Sequence, residues 1–346
     1  MGIKALSRIE IGKETTAAGT AIAADVLLQA EGMMKDTQER VFPVEGSEFV
    51  FPTAESYIRK EGVEITIEDS PATTELLPHL LGMGVAGGVA AASDGSGNDS
   101  IYIYPFPILA ANTAPDTYTV EGGDDAESGE ASYCFATHLG LKWAAGEELQ
   151  MSADLVGREW TDCAFTGTNP SITLHQLNRA KLYINDSGAT GFFTQKTQTF
   201  MGFELDYPTG WKPIYSGDGL LTFTFPKFVG HKDDNAIVGV LTLEHNATGE
   251  AELNFARAGT IRLIKVVWEG DAVTTAGTLY SKHSVILDAA IQYTDVPALE
   301  DEDGNNMVAL PFRVVYSHAD ATAIISGPSG TAAGGITVVN ELAALP

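Results

Sequence analysis

A run of glycines is the first place where this sequence could carry chemistry. Residues 82–87 read Gly-Met-Gly-Val-Ala-Gly and match the G-x-G-x-x-G pattern of dinucleotide-binding loops. In those loops the glycines follow a strand and open a helix, so that backbone amides face the pyrophosphate. Here the surrounding pattern indicates that they close a helix and lead into a loop rich in Gly and Ala. We therefore expect no nucleotide site and no cofactor.

An acidic loop near the C-terminus is the second candidate. Residues 300–305 read Glu-Asp-Glu-Asp-Gly-Asn and resemble the start of a calcium-binding loop. Such a loop needs a glutamate at its twelfth position, and counting from Asp301 that position is Phe312. Asp303-Gly304 between two apolar segments is instead typical of a tight hairpin turn. We favour the hairpin, with weak metal binding at its acidic tip as the alternative.

The other reactive side chains form no catalytic pattern along the sequence. The 7 histidines show no H-E-x-x-H or other close metal spacing, and Ser329 lacks the glycine spacing of a nucleophile elbow. Cys134 and Cys163 are too few for a disulfide framework or a four-ligand cysteine zinc site, so we interpret them as reduced thiols. We expect no catalytic residue, no metal site and no enzymatic activity.

The charge balance limits what the chain can hold. It has 20 Lys and Arg against 46 Asp and Glu, a net charge of −26. Because DNA and anionic membranes are held by clustered Lys and Arg, this balance argues against tight binding to either. Hydrophobic residues make up 44% of the chain, which excludes intrinsic disorder. No stretch reaches the ~20 apolar residues of a membrane span, and the N-terminus lacks a secretory signal, so we expect no membrane insertion.

Alternation of apolar and polar residues is the strongest signal for local structure. It is clearest in Tyr133–Trp143, where Phe135, Leu139 and Leu141 alternate with polar or small residues. A period of two is typical of a strand with one buried face. Further strands are predicted at 63–67, 149–155, 221–225, 261–268, 284–293 and 308–316. The sequence therefore predicts a mainly β protein with largely antiparallel strands.

Two short helices interrupt the strands and mark a repeat. The first is predicted at 75–81 with Gly82 as its end, and the second at 250–258 with Gly259 as its end. Each helix follows a strand and is later followed by a strand, an acidic turn and another strand. The two glycines lie about half the chain length apart. This repeated order predicts an internal duplication.

The duplication divides the chain into two domains. The first, residues 1–165, includes an N-terminal arm and a loop-rich insert near 86–131. The second, residues 166–346, ends in a C-terminal arm. Both arms, 12–24 and 327–335, are rich in small residues and have little apolar surface to bury.

Several segments together resemble the major tail tube proteins of long-tailed phages, in their larger form. The matching segments are the arm GKETTAAGTA, the strand–helix unit EITIEDSPATTELLPHLLGMGV, the strand pair YCFATHLGLKWAAGEELQMSADLVGREW, and the later stretches AKLYINDSGATGFFTQKT, LTLEHNATGEAELNFARAGTIRLIKVVWEG, PALEDEDGNNMVALPFRVVYS and ITVVNELAALP. The resemblance spans nearly the whole chain as a pattern of element order and short phrases.

The resemblance implies a fold and an assembly. It implies two tandem tail-tube-type β-sandwich domains, each with a short flanking α-helix. In that family, strands of neighbouring subunits join into a barrel around a central channel. Members with one domain form rings of six subunits, and members with a duplicated domain form rings of three that mimic six. The repeat seen here favours a homotrimer, with a homohexamer as the alternative.

The resemblance also implies a function. The chain would be a structural virion protein of the phage tail, made and assembled in the host cytoplasm. Its stacked rings would form a passive conduit for genome delivery, with DNA passing through without specific binding. Its partners would be other copies of itself, within and between rings, together with the tail tip and tail terminator proteins.

The acidic charge adds a prediction about the channel. Six tube domains with four strands each would give roughly two dozen strands, more than the ~16–18 that already leave an aqueous channel. An acidic wall would repel DNA phosphates and let DNA slide without adhering. We therefore predict an acidic lumen, with lining residues chosen on or beside one expected hairpin: Glu147, Glu148, Asp154 and Glu159.

Two other classes of function remain open. One is a different self-assembling or binding β-protein, such as a decoration protein, an adhesin or a surface-layer unit. The other is a β-rich enzyme that acts on glycans through paired carboxylates. The acidic residues for such an enzyme are abundant, but the sequence gives no sign of a substrate cleft.

Overall fold

Strands dominate the structure, a computed structural model, and the prediction of a mainly β protein is confirmed. Strands account for 54% of it and helices for 8%. It describes residues 7–15, 18–42, 56–94, 100–109, 114–167, 173–189, 194–302, 304–317 and 332–345. Asp303, Ser329 and residues 327–331 of the C-terminal arm lie outside the described residues. No helix in the described ranges is long and apolar enough to cross a membrane.

The elements follow one another along the chain in the following order. The helices are α1 Leu77–Gly84 and α2 Ala247–Ala258. The strands are β1 Arg8–Lys13, β2 Val26–Leu28, β3 Gly32–Val41, β4 Tyr57–Pro71, β5 Ala92–Ser93, β6 Tyr102–Leu109, β7 Tyr118–Gly123, β8 Ser128–Ala144, β9 Gln150–Gly157, β10 Thr161–Asp162, β11 Arg179–Asp186, β12 Gln195–Lys196, β13 Phe200–Pro208, β14 Trp211–Ile214, β15 Phe225–Phe228, β16 Val238–Glu244, β17 Ile261–Ala272, β18 Lys282–Tyr293, β19 Glu300–Glu302, β20 Asn305–Val314 and β21 Ala332–Asn340.

Strands from both halves of the chain form one antiparallel sheet, which we call the spanning sheet. Their order across it is β3, β4, β9, β8, β13, β16 and β20. The halves meet where residues 138–144 of β8 pair with residues 202–208 of β13. Hydrogen bonding therefore continues without a break from the first half of the chain into the second.

The strand order of the first half recurs in the second. In the first half β3 pairs with β4, β4 with β9, and β9 with β8. In the second half β13 pairs with β16, β16 with β20, and β20 with the end of β18. Helix α1 follows β4 as α2 follows β16. This recurrence supports the predicted duplication, whereas the division into residues 1–165 and 166–346 stays a prediction.

A second layer packs against one face of the spanning sheet. It is built around β18, which pairs with β17 on one side and β21 on the other. Strand β11 extends it beyond β17, and β6, from the predicted insert, extends it beyond β21. The rings of Phe203 on β13 and Trp268 on β17 are both buried, with centroids 5.4 Å apart. The core therefore lies between the two layers.

Helix α1 differs from its prediction at both ends. It begins at Leu77 and continues through Gly82, the predicted end, to Gly84. A Cβ atom on Gly84 would lie 2.9 Å from a methyl carbon of Leu139 on β8, so this glycine lets the helix approach the spanning sheet. A Cβ atom on Gly82 would lie 3.1 Å from a carboxylate oxygen of Asp116, which packs against the helix at that point.

Helix α2 agrees with its prediction, although it begins three residues earlier. The side chain of Asn246 accepts hydrogen bonds from the backbone amides of Thr248 and Gly249 and caps the N-terminus. Gly259 takes a left-handed conformation, with φ of 65°, and ends the helix as predicted.

Most predicted strands are present, and the one at 221–225 is wrong. That segment is bent, and strand β15 begins only at Phe225. The guanidinium of Arg158 donates hydrogen bonds to the carbonyls of Phe223 and Thr224, at 3.1 and 2.8 Å. These carbonyl oxygens bond to the side chain of Arg158 instead of to a neighbouring strand. The alternation of apolar and polar residues at 221–225 therefore reflects the burial of Phe223 and not a strand.

The acidic segment near residue 300 forms the predicted hairpin. Strands β19 and β20 pair antiparallel, with Glu302 opposite Asn305. Gly304 has a φ of 84°, which suits the tight turn between them. Its amide donates to the side chain of Asp301 at 2.9 Å.

Candidate assembly surface

Strand β3 is an open edge of the spanning sheet. Among the described strands it pairs only with β4, although it is 10 residues long. The side chains of Met33 and Phe42, at its two ends, are each 63% exposed. A long edge strand with exposed apolar side chains is a template for pairing with another chain.

The opposite edge of the spanning sheet, at β20, is only partly covered. On its side away from β16, β20 pairs with β19 near its start and with β18 near its end. Between them residues 294–299 form no strand, and the amide of Thr294 donates to the carbonyl of Pro311 at 2.9 Å. Val296 and Leu299 in this segment are 41% and 45% exposed. We call residues 294–302 the distal edge.

Both edges carry charged side chains: β3 has two basic and two acidic residues, whereas the distal edge has acidic residues and no basic one. The β3–β4 hairpin carries four exposed basic side chains: Lys35, Arg40, Arg59 and Lys60. Acidic residues lie among them, and Arg59 forms an ion pair with Glu39 across the hairpin. The distal edge has exposed carboxylates at Glu300 and Asp301 instead. The basic side chains of one edge are therefore suited to the carboxylates of the other.

The face of the spanning sheet turned away from the second layer is polar, and we call it the outer face. On β13, Phe203, Leu205 and Tyr207 are buried, whereas Glu204 and Asp206 between them are exposed. The same alternation on β4, β9 and β16 places further carboxylates on this face. Those on the face are Glu64, Glu68, Asp154, Glu204, Asp206 and Glu244.

Cationic side chains lie on the outer face as well. The strand registers place Lys35 of β3 and Arg313 of β20 there, and β8 supplies two that contact carboxylates. The ring of His138 contacts Asp206, and its Nδ1 lies 3.8 Å from a carboxylate oxygen of Asp154. The ammonium of Lys142 lies 3.4 Å from Glu204. Because the side chains in these contacts are largely exposed, water screens their ion pairs and each adds little stability.

The four residues chosen as lumen-lining lie along β9 rather than in one cluster. Asp154 is exposed on the outer face. Glu147 is exposed and Glu148 half-buried in the turn before β9, and Glu159 is exposed beyond its C-terminal end. Their place in a lumen stays a prediction.

Sequence reasoning missed the carboxylates that accompany Asp154 on the outer face. Glu64 and Glu68 alternate with the apolar residues of β4, and Glu204 and Asp206 with those of β13. That alternation was a usable signal. What it could not show was that β4 and β13 belong to the same sheet as β9.

Both cysteines are free thiols, as predicted. Burial raises the pKa of Cys134 well above its ordinary value. Burial, with the nearby carboxylates of Glu121, Glu130 and Asp162, raises the pKa of Cys163 to about 11. Both thiols are therefore protonated near neutral pH, and neither is activated as a nucleophile.

One group of possible metal ligands lies away from this surface. Glu75, His175 and His283 are far apart in the sequence, but their ligand atoms lie within 4.8 Å of one another. Short sequence spacing could not have revealed this group, since it is assembled from three separate segments.

Two comparisons with known proteins gave no match. A scan against protein-family models gives no match, and a search of curated proteins finds no sequence similar to this chain.

Proposed function

We propose that this chain is the subunit of a tube, built from stacked rings of its own copies, like the major tail tube proteins of long-tailed phages. The observation that carries the proposal is the junction between β8 and β13. There β8, the last strand of the first strand set (β3, β4, β9 and β8), pairs with β13, the first strand of the second set. The spanning sheet has two open edges, β3 and the distal edge, where the same kind of pairing could form between copies.

The repeated strand order identifies β3 as one side of a junction between copies. The other side is the distal edge, which directly follows β18, the counterpart of β8. Inside the chain, β13 opens the second strand set and pairs with β8 of the first. Strand β3 opens the first set in the same way, but it has no such neighbour among the described strands. We propose that β3 of one copy lies beside the distal edge of the next, with Lys35 and Arg40 near Glu300 and Asp301.

Such a contact is head-to-tail, because two different edges meet. Head-to-tail contacts generate a closed ring when the rotation between copies returns to the start, and an open filament when it does not. Three copies would place six strand sets around the ring. The barrel would then hold roughly two dozen strands, beyond the ~16–18 that leave an aqueous channel. A ring of six copies is the alternative.

The outer face is proposed to line the channel. Its carboxylates, among them Asp154, Glu204 and Asp206, would repel the phosphates of passing DNA. The other face of the spanning sheet is already covered by the second layer. The function we propose is thus a passive conduit for genome delivery in the phage tail, with assembly in the host cytoplasm and with tail tip and terminator proteins as further partners.

Charge exchange at the two edges tests the proposal. Negative-stain microscopy of the concentrated wild-type protein should show hollow stacked rings. Lys35→Glu with Arg40→Glu should abolish them, and adding Glu300→Lys with Asp301→Lys should restore them. Lys227→Glu, which changes an exposed lysine on β15, is the matched control and should leave the rings intact.

Two outcomes would contradict the proposal. One is a wild-type protein that forms closed two-fold dimers, or dispersed monomers that cleave a polysaccharide. The other is ring formation that is insensitive to all of the edge substitutions while circular dichroism shows every variant to be folded.

A further inference from the structure

Two histidines and two glutamates from four segments of the chain meet beside the start of α1. Glu75 lies just before α1, and His175 lies between β10 and β11. His283 is near the start of β18, and Glu341 directly follows β21. Ligand atoms of Glu75, His175 and His283 all lie within 4.8 Å of one another. A carboxylate oxygen of Glu341 lies 3.6 Å from Nε2 of His283.

The side chains are held in place by short contacts within this cluster. One oxygen of Glu75 accepts a hydrogen bond from the amide of His175 at 3.0 Å, and the other accepts one from the hydroxyl of Thr74 at 2.7 Å. Nδ1 of His283 lies 3.6 Å from Glu75. The rings of His175 and His283 stack with centroids 3.7 Å apart. These contacts make the residues one connected cluster rather than unrelated surface residues.

The cluster is buried and its charges are poorly compensated. Glu75 is 2% exposed and His283 is 1% exposed. Nε2 of His283 is a buried nitrogen that has no hydrogen-bond partner among the described residues. A cation at this place would compensate the buried carboxylate of Glu75.

We propose that Glu75, His175 and His283 bind a divalent transition metal of the zinc class. Imidazole nitrogen and carboxylate oxygen are both zinc ligands, whereas calcium and magnesium prefer oxygen alone. With metal–ligand bonds of about 2.0–2.2 Å, ligand atoms around a tetrahedral zinc lie about 3.4 Å apart. The cluster contracts on binding, and the half-buried ring of His175 turns out of its stack.

The proposed site joins distant parts of the chain. With three protein ligands, a tetrahedral metal would complete its coordination with water. Its ligands come from the first half of the chain, from the connecting segment and from the second half. Bound metal would therefore fix the two halves relative to each other. This inference is independent of the proposed tube, since it requires only one folded copy.

Zinc binding by the full-length chain tests the inference. After removal of metal with a chelator, addition of zinc and removal of the excess, elemental analysis should find one zinc bound tightly per chain, and zinc should raise the melting temperature. Cobalt(II) as a spectroscopic probe should give the intense visible absorption of tetrahedral coordination. Because loss of an outer-shell partner already weakens metal binding about 10–100-fold, His175→Ala should weaken zinc binding by at least about 100-fold, and Glu75→Gln should do the same.

Two controls separate this site from other histidines. His245→Ala removes a half-buried histidine elsewhere, and His138→Ala removes the histidine beside Asp154 and Asp206 on the outer face. Both variants should bind zinc like the wild type. The inference is overturned if the wild type retains no zinc, or if His175→Ala binds it unchanged. Loss of zinc in His138→Ala alone would place the metal on the outer face instead. His175 is half-buried in a connecting segment, so its variant remains informative even if Glu75→Gln does not fold.

Discussion

Arg262 and Glu252 form a charged pair inside the second half. The guanidinium of Arg262 donates two hydrogen bonds to the carboxylate of Glu252, at 2.9 and 2.6 Å, and Tyr293 donates a third at 3.0 Å. Both charged side chains are buried. The pair ties α2 to β17, and Arg262 also forms an ion pair with Asp186 on β11.

Removing one member of this pair should be costly. Arg262→Ala leaves the carboxylate of Glu252 buried without its counter-charge, so we expect the free energy of unfolding to fall by about 3–5 kcal/mol. Urea unfolding of the unassembled protein measures it. Arg257→Ala, at an exposed position on α2, is the control and should change stability by less than about 1 kcal/mol. Equal effects of the two substitutions would show that the buried pair is not a main source of stability.

Asp288 should make stability depend on pH. Burial on β18 raises its pKa to about 6, although the ammonium of Lys265 lies 3.4 Å away. An unfolded Asp titrates near ~3.9. The folded state therefore holds a proton that the unfolded state releases, and this contribution to stability is lost as pH rises through about 6.

The variant Asp288→Asn carries no ionisable group and should lack this pH dependence. Relative to the wild type, we expect it to gain about 3 kcal/mol between acidic pH and pH 8. Urea unfolding across that range measures the difference, with Asp295→Asn at an exposed position as the control. Parallel stability profiles for wild type and Asp288→Asn would contradict the expectation.

Helix α2 begins at a side-chain cap whose contribution can be measured. The carbonyl oxygen of Asn246 accepts from the amides of Thr248 and Gly249 at 2.9 and 3.3 Å. Asn246→Ala leaves these amides without that partner and should reduce stability by about 1 kcal/mol. Asn254→Ala, in the exposed interior of the same helix, is the control and should have a smaller effect. If the two variants are equally stable in urea, the cap does not define this helix end.

The elements that the sequence predicted well are those decided by local chemistry. Alternation located β8 and β9 because one face of each packs into the core. Asn246 and Gly259 marked α2 because a cap and a left-handed residue act within a few positions. The predicted C-terminal end of α1 at Gly82 was wrong, because glycine occurs both at helix ends and at positions where another segment packs closely against a helix.

The parts that the sequence could not give depend on pairing over long distances. Phe223 alternates like a strand residue, but Arg158 from a distant segment takes the carbonyl that a neighbouring strand would use. Asp154 could be chosen as an exposed acid, whereas its neighbour Asp206 became apparent only once β8 was seen to pair with β13. The group of Glu75, His175 and His283 could not be predicted for the same reason, because its members come from segments that are far apart in the chain.

At the scale of the whole molecule, the acidic outer face should keep DNA from adhering. In assembled rings, replacing Glu64, Asp154, Glu204 and Asp206 by lysine would turn a repelling wall into an attracting one. We expect the wild-type assembly to bind no duplex DNA and the variant to bind it with strong salt dependence. Filter binding at low and high salt measures this.

The matched control places the same charge change elsewhere on the molecule. Lysine substitutions at exposed Asp218, Asp234, Asp271 and Asp295 alter net charge equally but lie outside the outer face. If both sets of substitutions retain DNA to the same degree, the outer face does not line the channel. The prediction that Asp154 lines the lumen would then also be wrong.

The central claim is that the junction between β8 and β13 is repeated between copies by β3 and the distal edge. Electron cryomicroscopy of assembled protein tests it most directly. We predict rings of three copies in which β3 pairs with the distal edge of the next copy and the outer face surrounds the channel. An assembly in which β3 stays exposed to solvent, or in which the outer face is turned away from the axis, would contradict it.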